Sequence, residues 1–185
     1  MGEGGNIIKY YTHADYEQWE GEENSELIGG IRYVMEPAPA MGHQRIAARL
    51  SGEFYIQLKN SPTCTVYQPV DYRVADNTIL QPDMLVVSGK PGVQYLDFPP
   101  LLVAEILSPS TALKDRNIKF PLYQSQGVLY YLIISPRNQE VEVYRWEDGK
   151  YVLKTKGRDF HYTFELPSAV DTSVAKADID FSQIW

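Results

Sequence analysis

The chain has a single cysteine, Cys64, in 185 residues. That excludes an internal disulfide and any multi-cysteine zinc site. Histidine is nearly as scarce: His13, His43 and His161 are its three copies, and their spacing fits no zinc-ligand pattern. No apolar run approaches the roughly 18 residues that would mark a membrane-spanning helix. The opening MGEGGNIIKYY lacks a basic region followed by an apolar stretch, so no secretory signal is read. Asn6 stands where a myristoylation motif requires Ser or Thr. These absences point to a cytoplasmic protein without a membrane partner. Positive charge is also short: 17 basic residues face 24 acidic ones, for a net charge of −7. A generic nucleic-acid coat is basic, so the balance counts against non-specific coating. It leaves open a basic surface gathered on one face.

What is present is ordinary for a globular protein: 44% hydrophobic and 22% charged residues, with enough length for a substantial core. One domain over 1–185 is expected, with 1–9 flexible and 167–185 a C-terminal tail. Thr12-His13-Ala14-Asp15 resembles a capping box opening a helix to about Trp19, with Gly21 and Asn24 as its stops. Ser25 to Met35, with Gly29-Gly30 at its middle, predicts a hairpin, and Glu36-Pro37-Ala38-Pro39 a break. Ile46, Ala47, Leu50, Phe54 and Leu58 line one face of a helix over 42–59. Thr63–Tyr67 and Val70–Val74 read as strands, with a turn at Asp76-Asn77, after which Ile79-Leu80 leads to Pro82-Asp83. Ala112 to Gln126 has helical spacing, with Pro121 as an obstacle. Val128–Ile134 is an apolar strand. Glu140–Trp146 alternates as an edge or half-exposed strand, free to pair with a second copy across a two-fold axis. Phe160–Phe164 adds a short strand, and the end carries about one helical turn.

Two apolar runs carry carboxylates. Leu101 to Leu107 is a seven-residue run with six apolar members and one acid, Glu105. Such a run, bounded by Pro99-Pro100 and Ser108-Pro109, predicts a strand covered on both faces. A buried carboxylate requires a compensating partner. Asp83 stands at the mouth of the run Met84–Val87, and the turn-rich segment between the runs lets the two strands lie side by side. Two carboxylates that meet raise each other's pKa unless a cation lies between them, and oxygen ligands in small number suit Mg2+ or Mn2+. Asp115, Lys119 and Tyr123, spaced four apart, share one helix face, from which Lys119 can reach Glu105. Each has a plainer reading. Glu105 can be a structural carboxylate, Asp83 a turn residue after proline, Lys119 a solvated helix lysine, and His43 a helix cap.

Asp83 in PD, Glu105 in AEILSPST, the segment DRNIKFPLYQSQGVLYYLI and the upstream SELIGGIRYVMEPAPAMGHQRIAARL resemble the Uma-two family of restriction-endonuclease-like proteins. That family is similar to the PD-(D/E)XK nucleases. The likeness runs from about Thr12 to about Tyr151. It implies an α/β fold of mixed α+β character: a restriction-endonuclease-like core, with a central mixed β-sheet flanked by helices. It also implies a metal-dependent DNA endonuclease acting through Asp83, Glu105 and Lys119. The carboxylates and the carbonyl of Ile106 would hold Mg2+ or Mn2+, Glu26 and His43 would be possible additions, and no small-molecule cofactor would be needed. Leu107 occupies the usual lysine position two residues after the acid, which moves the lysine to the helix at Lys119. Nucleases of this architecture often act as homodimers. The alternative is a catalytically inactive module of the same fold that binds nucleic acid or a protein partner.

Overall fold

The Glu105 strand lies inside a six-stranded sheet. The computed structural model describes residues 9–19, 23–35, 39–92 and 94–185. The flexible start, apart from Lys9, the helix stop at Gly21 and the Glu36–Ala38 part of the break lie outside the described residues.

In chain order the elements are α1 (His13–Tyr16) with a 3-10 turn (Glu17–Trp19), the hairpin β1 (Ser25–Ile28) and β2 (Ile31–Val34), and α2 (Met41–Leu58). Then come β3 (Cys64–Tyr67), β4 (Tyr72–Ala75), β5 (Thr78–Leu80), β6 (Met84–Ser88) and β7 (Leu102–Ile106). A helical connection follows: α3 (Ala112–Lys114), a π-helical turn (Asp115–Lys119) and α4 (Phe120–Ser125). The chain ends with β8 (Tyr130–Ser135), β9 (Glu140–Glu147), β10 (Lys150–Gly157), β11 (His161–Pro167), β12 (Val174–Asp180) and a 3-10 turn (Phe181–Ile184).

Local chemistry accounts for the starts and stops. Thr12 donates from both N–H and Oγ1 to Asp15 Oδ2, which pins α1. Gly29 and Gly30 turn the first hairpin with φ of 58° and 82°, a pair of positive values that only glycine adopts cheaply. Ile46, Leu50, Phe54 and Leu58 are buried as their spacing predicts. Gly127, at φ 69°, ends the helical connection and sends the chain into β8.

The large sheet runs β10-β9-β8-β7-β6-β3. Its strands are antiparallel except β7 and β8, which are parallel and need the helical crossover between them. A smaller antiparallel sheet runs β2-β1-β5-β4, and β11 pairs with β12. One face of the large sheet packs on α2, the β11–β12 hairpin and the last 3-10 turn, around Phe54, Phe164, Ile179 and Phe181. The other face packs on the small sheet and the helical connection, around Leu80, Tyr72, Tyr123 and Tyr131. Burial on both faces explains why β6, β7 and β8 read as unbroken apolar runs. The mixed central sheet with flanking helices is the fold class the sequence predicts.

Three expectations change. β9 is the half-exposed strand of the two alternatives and not an edge: β8 and β10 occupy both its sides, so it has no free edge to pair with a second copy. The segment after residue 167 is not a loose tail, because Ala177, Ile179, Phe181 and Ile184 are sealed in the core. Ile79-Leu80, read as a lead-in to Pro82-Asp83, belongs to the strand β5, which joins β1 to β4. Three residues are too few to show alternation.

Candidate active site

The site is built at one end of the β6–β7 pair. Met84 pairs with Ala104 in antiparallel register. Continuing that register by one residue sets Asp83 opposite Glu105, on the sheet face that also carries Leu85 and Val103. Asp83 Oδ2 accepts the backbone N–H of Ile106 at 2.7 Å, so the aspartate extends the strand pairing past its last backbone partner. His43, in the first turn of α2, brings its Nε2 to 3.3 Å from the same oxygen. Burial pushes the His43 imidazole down, but the hydrogen bond and charge of Asp83 outweigh it, and the net shift is upward. His43 Nδ1 is buried without a hydrogen-bond partner.

Glu105 is 3% exposed. Its Oε1 accepts from Lys119 Nζ at 2.9 Å and from the Tyr123 hydroxyl at 2.7 Å. Both contacts fall on one oxygen, which leaves Oε2 outside that clasp. Burial, with the nearby charges of Asp115, Asp83 and Glu26, holds the Glu105 carboxyl well above its ordinary value, against the pull of Lys119.

Glu26 reaches the cluster from β1. Its Oε1 accepts the Gln81 N–H at 2.9 Å and lies 2.7 Å from Lys119 Nζ; its Oε2 lies 2.5 Å from Lys114 Nζ. Burial raises the Glu26 carboxyl, yet the two ammonium groups prevail and set it below the ordinary glutamate value. Asp115, almost sealed, stands 3.6 Å from Lys119 Nζ and keeps one buried oxygen without a hydrogen bond. Burial raises its carboxyl above the usual aspartate value. Lys119 is therefore ringed by three carboxylates. Burial alone would depress its ammonium, but Glu105, Glu26 and Asp115 hold it charged and far above the ordinary lysine value.

The structure thus brings Glu26, Glu105 and Lys119 into direct contact, with Asp83 and His43 at the adjoining strand end. Asp115, Lys119 and Tyr123 all point inward, as their spacing predicts. Pro121 does not turn Lys119 away. The preceding turn widens to π geometry, with the Phe120 N–H reaching Asp115 O, and Pro121 enters at the start of α4, where its missing N–H costs little. Lys114 is the participant that α-helical spacing missed. It stands just before the π turn, five residues ahead of Lys119, and both ammonium groups reach Glu26.

Charge and donor type define what the arrangement can hold. Asp83, Glu105, Glu26 and Asp115 are four carboxylates; Lys114 and Lys119 are two ammonium groups. His43 adds an imidazole of raised pKa beside Asp83, and the Asp115 oxygen without a hydrogen bond is the one 3.6 Å from Lys119 Nζ. Carboxylate oxygens are hard donors, of the kind that fits a divalent cation of the magnesium class. Among the described residues, no group of three or more His, Cys, Asp or Glu side chains is placed to hold a metal ion by itself.

Known proteins share this fold. One solved structure, described as a "putative nuclease belonging to DUF820" from Anabaena variabilis, matches with a TM-score of 0.65 at 19% identity, covering 77% of this chain and 83% of that one. The "uncharacterized protein slr1290" of Synechocystis sp. is 29% identical over 147 residues, spanning 75% of this chain and 76% of that protein. Residues 13–170 match the Uma2 family, described as "Putative restriction endonuclease", and the chain belongs to that family. Among the described residues no helix is long and apolar enough to cross a membrane.

Proposed function

We propose that the protein is a metal-dependent DNA endonuclease that hydrolyses phosphodiester bonds at the Asp83–Glu105 strand ends. The observation that carries this reading is the pairing itself: two carboxyl groups at the ends of adjacent central strands, beside a cluster in which Glu26, Asp115 and Lys119 surround Glu105. Mg2+ or Mn2+ would be held by Asp83, Glu105 and the Ile106 carbonyl. Bound there, it would supply a water of lowered pKa and charge neutralisation at the scissile phosphate.

The chain's own residues set that site. Lys119 is 3% exposed and fixes Glu105 through Oε1, so its part is to position the carboxylate rather than to touch the phosphate. Tyr123 holds the same oxygen from the next helical turn. Glu26 anchors Lys119 from the opposite sheet. His43 holds Asp83 against the Ile106 N–H.

The test is cleavage of supercoiled plasmid with Mg2+ and then Mn2+, for the native chain and for Asp83→Asn. The native chain should nick or linearise DNA, and chelator should stop it. Asp83→Asn should lose cleavage while melting as the native chain does. A variant that cuts as well as the native chain would refute the site. A native chain that binds metal but cuts neither DNA nor RNA would support the inactive-module alternative, for which the sealed state of Lys119 is the motivating observation.

A further inference from the structure

A second cleft, of ≈290 Å³, lies on the opposite face of the small sheet from the carboxylate cluster. Strand alternation separates the two: Glu26 points inward from β1, while its neighbour Ser25, with Ile79 and Gln81, lines the outer cleft. Its volume is near the lower bound of about 300 Å³ for small-molecule pockets. Tyr16, Trp19 and Tyr95 give it aromatic walls. Tyr16 and Trp19 meet edge to face at 5.5 Å, so each is held in place by the other.

A carboxylate stands among these rings. The Tyr16 hydroxyl donates to Asp71 Oδ2 at 3.0 Å, and Gln81 Nε2 donates to Asp71 Oδ1 at 3.1 Å. Both donors are neutral, so they fix the carboxylate without cancelling its charge. Each oxygen keeps a further lone pair for another donor. Among the described lining residues, Glu17, Glu23 and Asp71 face one guanidinium, Arg73, which lies 3.4 Å from Asp76; a second, Arg32, stacks on the Trp19 ring at 4.3 Å from its centroid, and the acidic groups still outnumber the two. That balance repels phosphate. It accepts a planar ring that donates hydrogen bonds.

We propose that this cleft binds a nucleobase carrying an exocyclic amino group, with the ring against the aromatic walls and the amino group donating to Asp71. Aromatic walls take any base by its π-face, and carboxylates accept from exocyclic amino groups. The base comes either from a free nucleotide or from an unstacked position of a nucleic-acid strand, its phosphate remaining outside. Gln81 joins the two sites: its side chain holds Asp71, and its backbone N–H donates to Glu26. The proposal does not require the carboxylate cluster to cut DNA.

The experiment follows the indole N–H resonance of Trp19 in the full nitrogen-labelled chain, without divalent metal, as adenosine or purine riboside is added. Purine riboside is adenosine without the amino group. Adenosine should give a saturable shift, and purine riboside should bind about tenfold more weakly or worse, the worth of one hydrogen bond to a charged group. Asp71→Asn should erase that preference, and Tyr95→Ala should weaken both ligands. No saturable shift, equal affinity for the two ligands, or a preference that survives in folded Asp71→Asn would overturn the proposal. The two-ligand comparison on the native chain stands even if Asp71→Asn fails to fold. A single-stranded oligodeoxyadenylate that binds more tightly than adenosine monophosphate assigns the cleft to an unstacked strand base; the reverse order assigns it to a free nucleotide. Asp83→Asn should bind adenosine unchanged, which separates failure here from failure of the nuclease reading.

Discussion

Lys119 Nζ lies 2.9 Å from Glu105 Oε1, and both side chains are almost sealed from water. The same ammonium lies 2.7 Å from Glu26 and 3.6 Å from Asp115. Removing it leaves Glu105 and Asp115 without their cation in a dry interior, while Glu26 keeps Lys114. Lys119→Met should therefore cost about 3–5 kcal/mol in urea unfolding, the usual penalty for breaking a buried pair from one side. Adding Glu105→Gln to that variant should recover part of the loss, because one of the stranded charges is gone. A Lys119→Met variant as stable as the native chain would show that the cluster is hydrated.

Lys114 is the lesser of the two lysines on Glu26. Its loss leaves Glu26 with Lys119 and the Gln81 N–H. Lys114→Ala should cost about 1–2 kcal/mol near neutral pH, the range for a hydrogen bond to a charged group. The sign follows from Glu26. Its carboxyl is held below the ordinary value of 4.5, so its stabilisation is complete above that pH and fades as pH falls through the folded value. The difference between Lys114→Ala and the native chain should therefore shrink below pH 4.5, as chemical denaturation across the acid range would show.

Glu142 offers a cleaner pH experiment, away from the cluster. Arg116 from the π turn grips it with two bonds, at 3.0 and 2.8 Å, and the Tyr144 hydroxyl adds a third at 2.7 Å. Burial works against ionisation, but these bonds win and lower its carboxyl from 4.5 to about 2. Its stabilisation is present above pH 4.5 and lost as pH falls towards 2. Arg116 is partly open to water, so the contribution is discounted to about 2 kcal/mol. Glu142→Gln should lower stability at neutral pH by about that amount and flatten the acid limb between those limits. A limb of unchanged slope would place the acid sensitivity elsewhere.

Much of this arrangement is legible in the chain, for a physical reason. β6, β7 and β8 are buried on both faces, so their apolar runs stand out, and one acid inside such a run marks itself. The helix face shared by Asp115, Lys119 and Tyr123 follows from spacing alone. Three things do not. Neither the π turn nor the contact of Lys114 with Glu26 leaves a mark in α-helical periodicity. β5 is too short to alternate. The polar alternation of β9 suits an edge strand, yet it sits between two neighbours, with Glu142 satisfied by Arg116 and by the Tyr144 hydroxyl rather than by solvent.

Metal binding should be coupled to a proton. Burial and neighbouring acids hold Glu105 above its ordinary value, so in the metal-free protein its carboxyl keeps a proton to higher pH than an exposed glutamate does. A divalent cation needs the carboxylate form, and binding must expel that proton. Affinity for Mg2+ or Mn2+ should therefore rise with pH from the ordinary glutamate range up to the folded value and then level off. Titration calorimetry in two buffers of different ionisation heat would count the proton directly. Glu105→Gln has no proton to release and lacks one ligand, so both the binding heat and its buffer dependence should vanish. Glu26→Gln keeps Asp83 and Glu105 and should still bind. Binding without proton release would mean that Glu105 is already ionised and that Lys119 alone supplies its charge balance. Binding that survives in Glu105→Gln would move the cation to other donors. No binding by the native chain, with or without substrate DNA, would leave the cluster as a structural joint between the two sheets.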